Sequence, residues 1–272
     1  MAVADARYQH ATVGGVPVLR FPALDAAGVD AAVTSRHGGV SEGPYASLNL
    51  GLHVGDDPDR VVENRRRAAG TIGLGLDHLV VCRQTHGAHV ATVGVADRGR
   101  GARSDVDVVD ATDALVTTDA DVGLVVMVAD CVPIVLVDPD TRALACVHAG
   151  WRGTVAGVTT ATVGRLVELG AEPGRLVAAV GPAIAADRYQ VGPEVVEAAT
   201  AALGPAVDAL VAPDGTGRWT FDVQGANLHQ LRAAGVPPEQ IAVTALDTGG
   251  DFFSDRAVRP CGRFAALARL RA

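Results

Sequence analysis

The sequence predicts a mixed α/β (α+β) fold from three observations. Short apolar runs of strand length recur along the chain, helix-length segments with capping signals separate several of them, and two runs follow one another through a tight turn. The strand-length runs lie at residues 80–83, 89–93, 124–128, 134–137, 143–147, 176–180 and 241–245. Asp57-Pro58 supplies a cap and a first-turn proline for a helix through Ala69. Thr154 opens a second helix that runs to Gly170, and the segments 193–203 and 222–234 end at Gly204 and Gly235. Gly70, Gly73 and Gly75 have the wrong spacing for a dinucleotide fingerprint and follow a helix, which excludes a Rossmann reading. Residues 97–113 are polar, acidic and glycine-containing, as expected of an exposed loop. The whole chain, 1–272, reads as a single catalytic domain with a poorly defined N-terminal extension at about 1–14.

Composition narrows the function. Hydrophobic residues make up 49% of the chain but aromatics only 4%, so the core is built from small aliphatics. The longest apolar run, 124–129, is far short of the roughly 18 residues needed to span a bilayer, and residues 1–10 carry no signal-peptide core. A soluble cytoplasmic protein with no membrane partner is expected. A formal charge of −8 argues against nucleic acid and in favour of small substrates. All 23 basic residues are arginine, so neither a lysine Schiff base nor a P-loop lysine can operate. The four cysteines, Cys82, Cys131, Cys146 and Cys261, form no CxxC pair, which speaks against a four-cysteine structural zinc site.

The most informative segment is Ala129-Asp130-Cys131-Val132-Pro133 followed by Val147-His148-Ala149-Gly150-Trp151-Arg152-Gly153. A turn at 138–141 pairs Val137 with Arg142 and sets Cys131 opposite His148, about 4.5–5.5 Å apart at Cβ. Gln84-Thr85-His86-Gly87, at the end of a strand-length run, adds a third candidate ligand. Two imidazoles and a thiolate leave one position of zinc open, which is the catalytic pattern; a hydrogen-bonded core or turn histidine is the ordinary alternative. His89 rivals His86, His53 could line a pocket, and His10, His78 and His229 read as surface residues. Arg36, in Thr34-Ser35-Arg36-His37-Gly38-Gly39, sits in a loop able to approach an anion or simply to turn. Arg65 shares a helix face with Val61 and Ala68 and therefore points inward, where it needs an anionic partner. Arg152 follows Trp151 at a helix start, a place for phosphate, while Gly150 and Gly153 permit the turn.

With these residues assembled, the chain resembles the YfiH/DUF152 family, the laccase-domain, polyphenol oxidase-like proteins now regarded as purine nucleoside phosphorylases. The resemblance runs from Thr34 to about Arg263. It rests on Ser35-Arg36-His37-Gly38-Gly39, Ser47-Leu48-Asn49-Leu50-Gly51, Glu63-Asn64-Arg65, Gln84-Thr85-His86-Gly87, Asp113-Ala114-Leu115-Val116, the Cys131 and His148 segments, Gly181-Pro182-Ala183-Ile184 and Phe252-Phe253-Ser254. It implies central mixed β-sheets flanked by helices and zinc held by His86, Cys131 and His148. It also implies phosphorolysis of adenosine, inosine and S-methyl-5′-thioadenosine with inorganic phosphate, together with deamination of adenosine. Asn49 and Arg65 match positions expected to meet nucleoside or phosphate. The tail departs from the family pattern at Asp247-Thr248-Gly249-Gly250 and Cys261-Gly262-Arg263, which bears on substrate preference.

For deamination the His-x-Glu and Pro-Cys-x-x-Cys signature of nucleobase deaminases is absent, so the solution would be an independent one. Asp130 could serve as an acid, as a partner to the ligands, or as a structural carboxylate at the hairpin. Three rival readings stand beside this one. A copper polyphenol oxidase fits poorly with eight histidines and no His-x-His. A metal-free hydrolase would use Cys131 as nucleophile and His148 as base. A non-enzymatic binding module would leave Asn49, Arg65, His86 and His148 without a reason to be polar.

Overall fold

The computed structural model describes residues 7–272. Two six-stranded sheets form its centre. The first has the order β1 (Gln9–Val13), β2 (Val16–Arg20), β3 (Val29–Thr34), β15 (Phe264–Leu270), β7 (Gly123–Val128) and β4 (Leu79–Val81). The second runs β14 (Ile241–Val243), β10 (Val177–Val180), β8 (Val132–Asp138), β9 (Ala143–Ala149), β6 (Ala114–Thr117) and β5 (Val90–Thr92). A small third sheet joins β11 (Gln190–Val191), β13 (Trp219–Phe221) and β12 (Val211–Pro213). Both large sheets mix parallel and antiparallel pairs. Of the stretch expected as an N-terminal extension, residues 1–6 lie outside the described residues and 9–13 form β1.

The layers follow from which face each side chain takes. Val126, Val128, Phe264 and Ala266 of the first sheet meet Val135, Val137, Leu144 and Cys146 of the second in one apolar seam. Opposite faces of the same strands are also covered. Leu79, Val125, Met127 and Leu267 pack under α2 (Pro58–Thr71), while Ile134, Leu136, Ala145 and Val147 pack under α4 (Val158–Glu168), α5 (Pro193–Leu203) and α6 (Val223–Ala233). Strands buried on both faces lose the polar alternation, which is why β7, β8 and β9 read as unbroken apolar runs. α1 (Pro22–Ala26) and α3 (Trp151–Val155) are single turns.

The helix caps largely follow the sequence. Asp57 accepts hydrogen bonds from the Asp59 and Arg60 amides at the start of α2, and Asp222 caps α6 through the Gly225 amide. The helix expected from Thr154 to Gly170 is instead two helices. Gly157 takes a left-handed φ of 81°, which ends α3 and starts α4 afresh. The loop expected at 97–113 is exposed only in part, since Ala102, Val108, Val109, Thr112 and Asp113 are buried.

Phe264, fully buried in the seam and 5.1 Å from the Phe252 ring, carries a large share of the sheet-to-sheet packing. Phe264→Ala is expected to lower the unfolding free energy by about 3–5 kcal/mol in urea titrations. Val167→Ala, at an exposed position, should stay within about 0.5 kcal/mol.

Candidate metal centre and cleft

The site lies where the chain crosses between the two large sheets. β7 ends in the first sheet at Val128 and β8 begins in the second at Val132, so Ala129, Asp130 and Cys131 make the corner. So tight a corner puts Asp130 at φ 89°, a left-handed conformation that costs a non-glycine residue of order 1–3 kcal/mol. Its carboxylate is anchored in return. It accepts from the Thr248 hydroxyl, from the Ser254 hydroxyl at 2.7 Å and from the Arg256 amide at 2.7 Å. A second crossing, from β4 to β5, carries His86 at φ 61°. His148 sits near the end of β9, and Gly150 begins α3 directly after it.

The β8–β9 register differs by two residues from the sequence expectation. His148 pairs with Pro133, not Cys131, because β8 runs to Asp138, β9 starts at Ala143, and Arg142 in the connection takes φ 56°. The Asp138 carboxylate accepts from the Asp140 and Thr141 amides and so folds a four-residue connection, 139–142, one position later than the expected turn. A slip of one would have turned the side chains apart, whereas a slip of two keeps them on one face. Cys131 and His148 therefore still meet.

One ligand atom from each of His86, Cys131 and His148 lies within 4.8 Å of the others. The set is graded from exposed His86 through half-buried Cys131 to buried His148, which leaves one side open. The two imidazole rings stand edge to face at 4.8 Å. Gly150 is required here: a Cβ would fall 2.8 Å from Cys131 Sγ and 2.8 Å from His86 Cδ2. In Gly153, likewise, a Cβ would press to 2.9 Å on the Gly87 carbonyl.

Asp113, which sequence reasoning left at the end of the polar loop, holds the cluster together. It immediately precedes β6, and the pairing of Ala114 with Val147 brings it beside His148. His148 Nδ1 donates to Asp113 Oδ1 at 2.8 Å, which leaves Nε2 free as a ligand. The same carboxylate accepts the backbone amides of Thr85, His86 and Gly87 and the Thr85 hydroxyl. Gln84 fixes the other end of the loop by a two-way amide bridge to the Met127 backbone, at 2.7 and 2.8 Å. In the sequence, only the family stretch Asp113-Ala114-Leu115-Val116 points to Asp113.

Electrostatics separate Cys131 from the other thiols. Burial works to raise the Cys131 thiol, but His148 by charge and hydrogen bond, with His86 behind it, brings it down to about 6. Burial lowers His148 in turn, and the charge of Cys131 with the Asp113 hydrogen bond outweighs that and raises it. Burial pushes the Cys82 thiol up to about 12 and Cys146 higher still. Two imidazoles and a low thiol around an open side, with a carboxylate behind one ring, suit a metal ion with a free coordination position.

The cluster opens into a cleft of about 690 Å³, the range of small-ligand sites. Asp130, Trp151, Arg152, Tyr189 and Arg256 line its metal end, and His53, Asp105, Met127 and Arg263 line it farther along. Arg36, Asn49 and Arg65 are not among the lining residues. Arg36 donates to the Ala46 carbonyl and stacks over Phe253 at 4.7 Å. Asn49 is fully buried, and its amide joins Gly51, Asp56 and the Arg263 amide. Arg65 does point inward, but its oxygen partners among the described residues are the carbonyls of Leu50, Gly101 and Ala102 and no carboxylate. Of the other histidines, His89 bonds Thr112, His78 meets Asp121 and Arg98, and His229 is exposed. The departing tail is structural at Thr248, which anchors Asp130, and at Asp247, which caps the Ala185 amide.

The family model described as multi-copper polyphenol oxidoreductase laccase matches residues 30–271. Purine nucleoside phosphorylase YlmD of Geobacillus stearothermophilus is 41% identical over 249 residues, 89% of this chain and 89% of that protein. Adenosine deaminase RL5, from an unknown prokaryotic organism, is 40% identical over 214 residues, 79% of this chain and 82% of that protein. The crystal structure of YlmD from Geobacillus stearothermophilus matches with a TM-score of 0.92 at 39% identity, covering 98% of this chain and 99% of that one. The Bacillus licheniformis protein YfiH matches with a TM-score of 0.92 at 30% identity, covering 98% and 100%. In sequence and in the layout of both sheets, this chain belongs to the laccase-domain family of YlmD and YfiH.

Proposed function

We propose that the chain is a zinc-dependent purine nucleoside phosphorylase acting on adenosine, inosine and S-methyl-5′-thioadenosine, with a second activity as an adenosine deaminase. The observation that carries this reading is the His86, Cys131 and His148 cluster, backed by Asp113 and open to a cleft of nucleoside size. Relatives at about 40% identity named purine nucleoside phosphorylase and adenosine deaminase support it. Among the described residues this is the sole cluster of three or more possible ligands, which disfavours a multicopper oxidase. No helix of the described residues is long and apolar enough to cross a membrane.

Zinc at this cluster would supply Lewis acidity, polarising water or the leaving purine. The chain's own residues do the rest. Asp113 fixes the His148 tautomer and holds the His86 loop, so that the donors converge without substrate. Trp151 and Tyr189 give the cleft apolar walls, and Arg152 adds positive charge beside the cluster. In phosphorolysis the C1′–N9 bond breaks with its electron pair leaving on the purine. An oxygen of hydrogen phosphate bonds to C1′, and the phosphate proton ends on the purine nitrogen. The products are free base and ribose 1-phosphate. A metal-free cysteine hydrolase is the second reading, favoured by the mutual coupling of Cys131 and His148.

Purified, zinc-loaded protein incubated with adenosine and phosphate is expected to release adenine, inosine and hypoxanthine, resolved by liquid chromatography. No product at any phosphate concentration removes the proposal. Asp113→Asn should weaken zinc binding about 10- to 100-fold in competition with a chromogenic chelator. After chelation, iodoacetamide should modify Cys131 at neutral pH while Cys82 and Cys146 stay protected by burial, and zinc should block the reaction. Full activity in the chelated protein would select the hydrolase instead.

A further inference from the structure

Five arginines line the cleft: Arg83, Arg152, Arg256, Arg259 and Arg263. Three are neutralised in place. Arg83 pairs with Asp110 at 3.0 Å, while Arg259 and Arg263 share Asp255 at 2.6 and 3.5 Å. Arg152 and Arg256 have no carboxylate partner among the described residues. Each has its guanidinium carbon over an aromatic ring: Arg152 over Trp151 at 4.3 Å, Arg256 over Tyr189 at 5.1 Å. Stacking occupies the face of a guanidinium and leaves its edge N–H groups for an anion. Arg256 uses one of them on the Gln190 carbonyl, at 2.9 Å.

Both side chains are carried by backbone tied to the metal ligands. Arg152 lies two residues after Gly150, which sits so close to Cys131 and His86 that a Cβ there would fall 2.8 Å from Cys131 Sγ and from His86 Cδ2. Arg256 is held through its amide by the Asp130 carboxylate, next to Cys131 in the chain. Two uncompensated cations beside one cluster stand out in a chain of formal charge −8. Guanidiniums without a carboxylate partner at a cleft wall are free to pair with a tetrahedral oxyanion through their N–H groups.

We propose that Arg152 and Arg256 form the phosphate subsite of the cleft, with Asp130 as the positioning residue that sets Arg256 beside the metal centre. The proposal rests on the phosphorylase reading for the identity of the anion as co-substrate. It moves phosphate recognition away from Arg36 and Arg65, which face protein carbonyls.

The test uses zinc-loaded protein with Arg152→Met, Arg256→Met, the double variant and, as a control, Arg66→Met, an exposed α2 arginine outside the cleft. Calorimetry measures binding of inorganic phosphate without nucleoside, and steady-state kinetics measures KM for phosphate and for inosine. Each single variant is expected to weaken phosphate binding and raise phosphate KM about 10- to 100-fold, with inosine KM moving far less and the control unchanged. Asp130→Asn should raise phosphate KM with zinc content retained, and circular dichroism checks folding throughout. Wild-type phosphate affinity and phosphate KM in the double variant would overturn the subsite while leaving the phosphorylase reading standing. Phosphate binding that depends on both arginines in a protein that turns over no nucleoside would support the subsite and sink that reading.

Discussion

The site depends on one carboxylate. Asp113 joins two segments that are far apart in the chain, accepting from the His148 ring and from three consecutive amides of the His86 loop. It is fully buried and ionised: burial works to raise it, and the His148 hydrogen bond with the loop amides more than reverses that. A buried anion with this many donors is stable only if all of them arrive together, so the same interaction that settles the charge also sets the ligand positions. Gln84, bound to the first sheet, and Asp113, at the edge of a strand of the second, hold the His86 loop from its two ends.

That arrangement follows from the sandwich. Apolar side chains fill the seam between the sheets, and a polar cluster can form only where the seam reaches solvent and the chain crosses from one sheet to the other. The crossings at Cys131 and His86 and the end of β9 at His148 meet at that mouth. Cys146 lies two residues before His148 on the same strand, fully buried in the seam, and has a thiol pushed far upward by burial. Position along the seam, more than residue type, separates a reactive thiol from an inert one.

The parts of this design visible in the sequence are those written in interruptions. Asp130 and Pro133 break an apolar strand around Cys131, and Gly87 and Gly150 lie close to His86 and His148, so all three candidate ligands that the structure gathers stood out in the sequence. The register was misread by two residues because the connection after Asp138 is stabilised by a side-chain turn and a left-handed Arg142. β15 escaped notice because Phe264–Leu270 is rich in alanine, a helix former, and only burial on both faces makes it a strand. Arg65 was legible as inward-pointing, but not its partners: its guanidinium closes on the main-chain carbonyls of a loop some 36 residues away. Asp113 was hidden because an acidic residue at the end of an acidic loop carries no sign of which acid turns inward.

Strain marks the same place by an independent route. Among the described residues, four non-glycine residues have positive φ: His86, Ala111, Asp130 and Arg142. Arg142 belongs to the β8–β9 connection. The other three are a metal-ligand candidate, the residue next to a ligand candidate, and the residue two before Asp113. Such conformations persist only when their surroundings over-determine them. For His86 that surrounding is the Asp113 carboxylate on its amide; for Asp130 it is its own carboxylate, bound by Thr248, Ser254 and the Arg256 amide. Losing either carboxylate would therefore do more than remove hydrogen bonds. At Asp113 it would let the His86 corner relax toward ordinary backbone and turn that ring out of the cluster, whereas at Asp130 it would release the Arg256 backbone from its place beside the cluster.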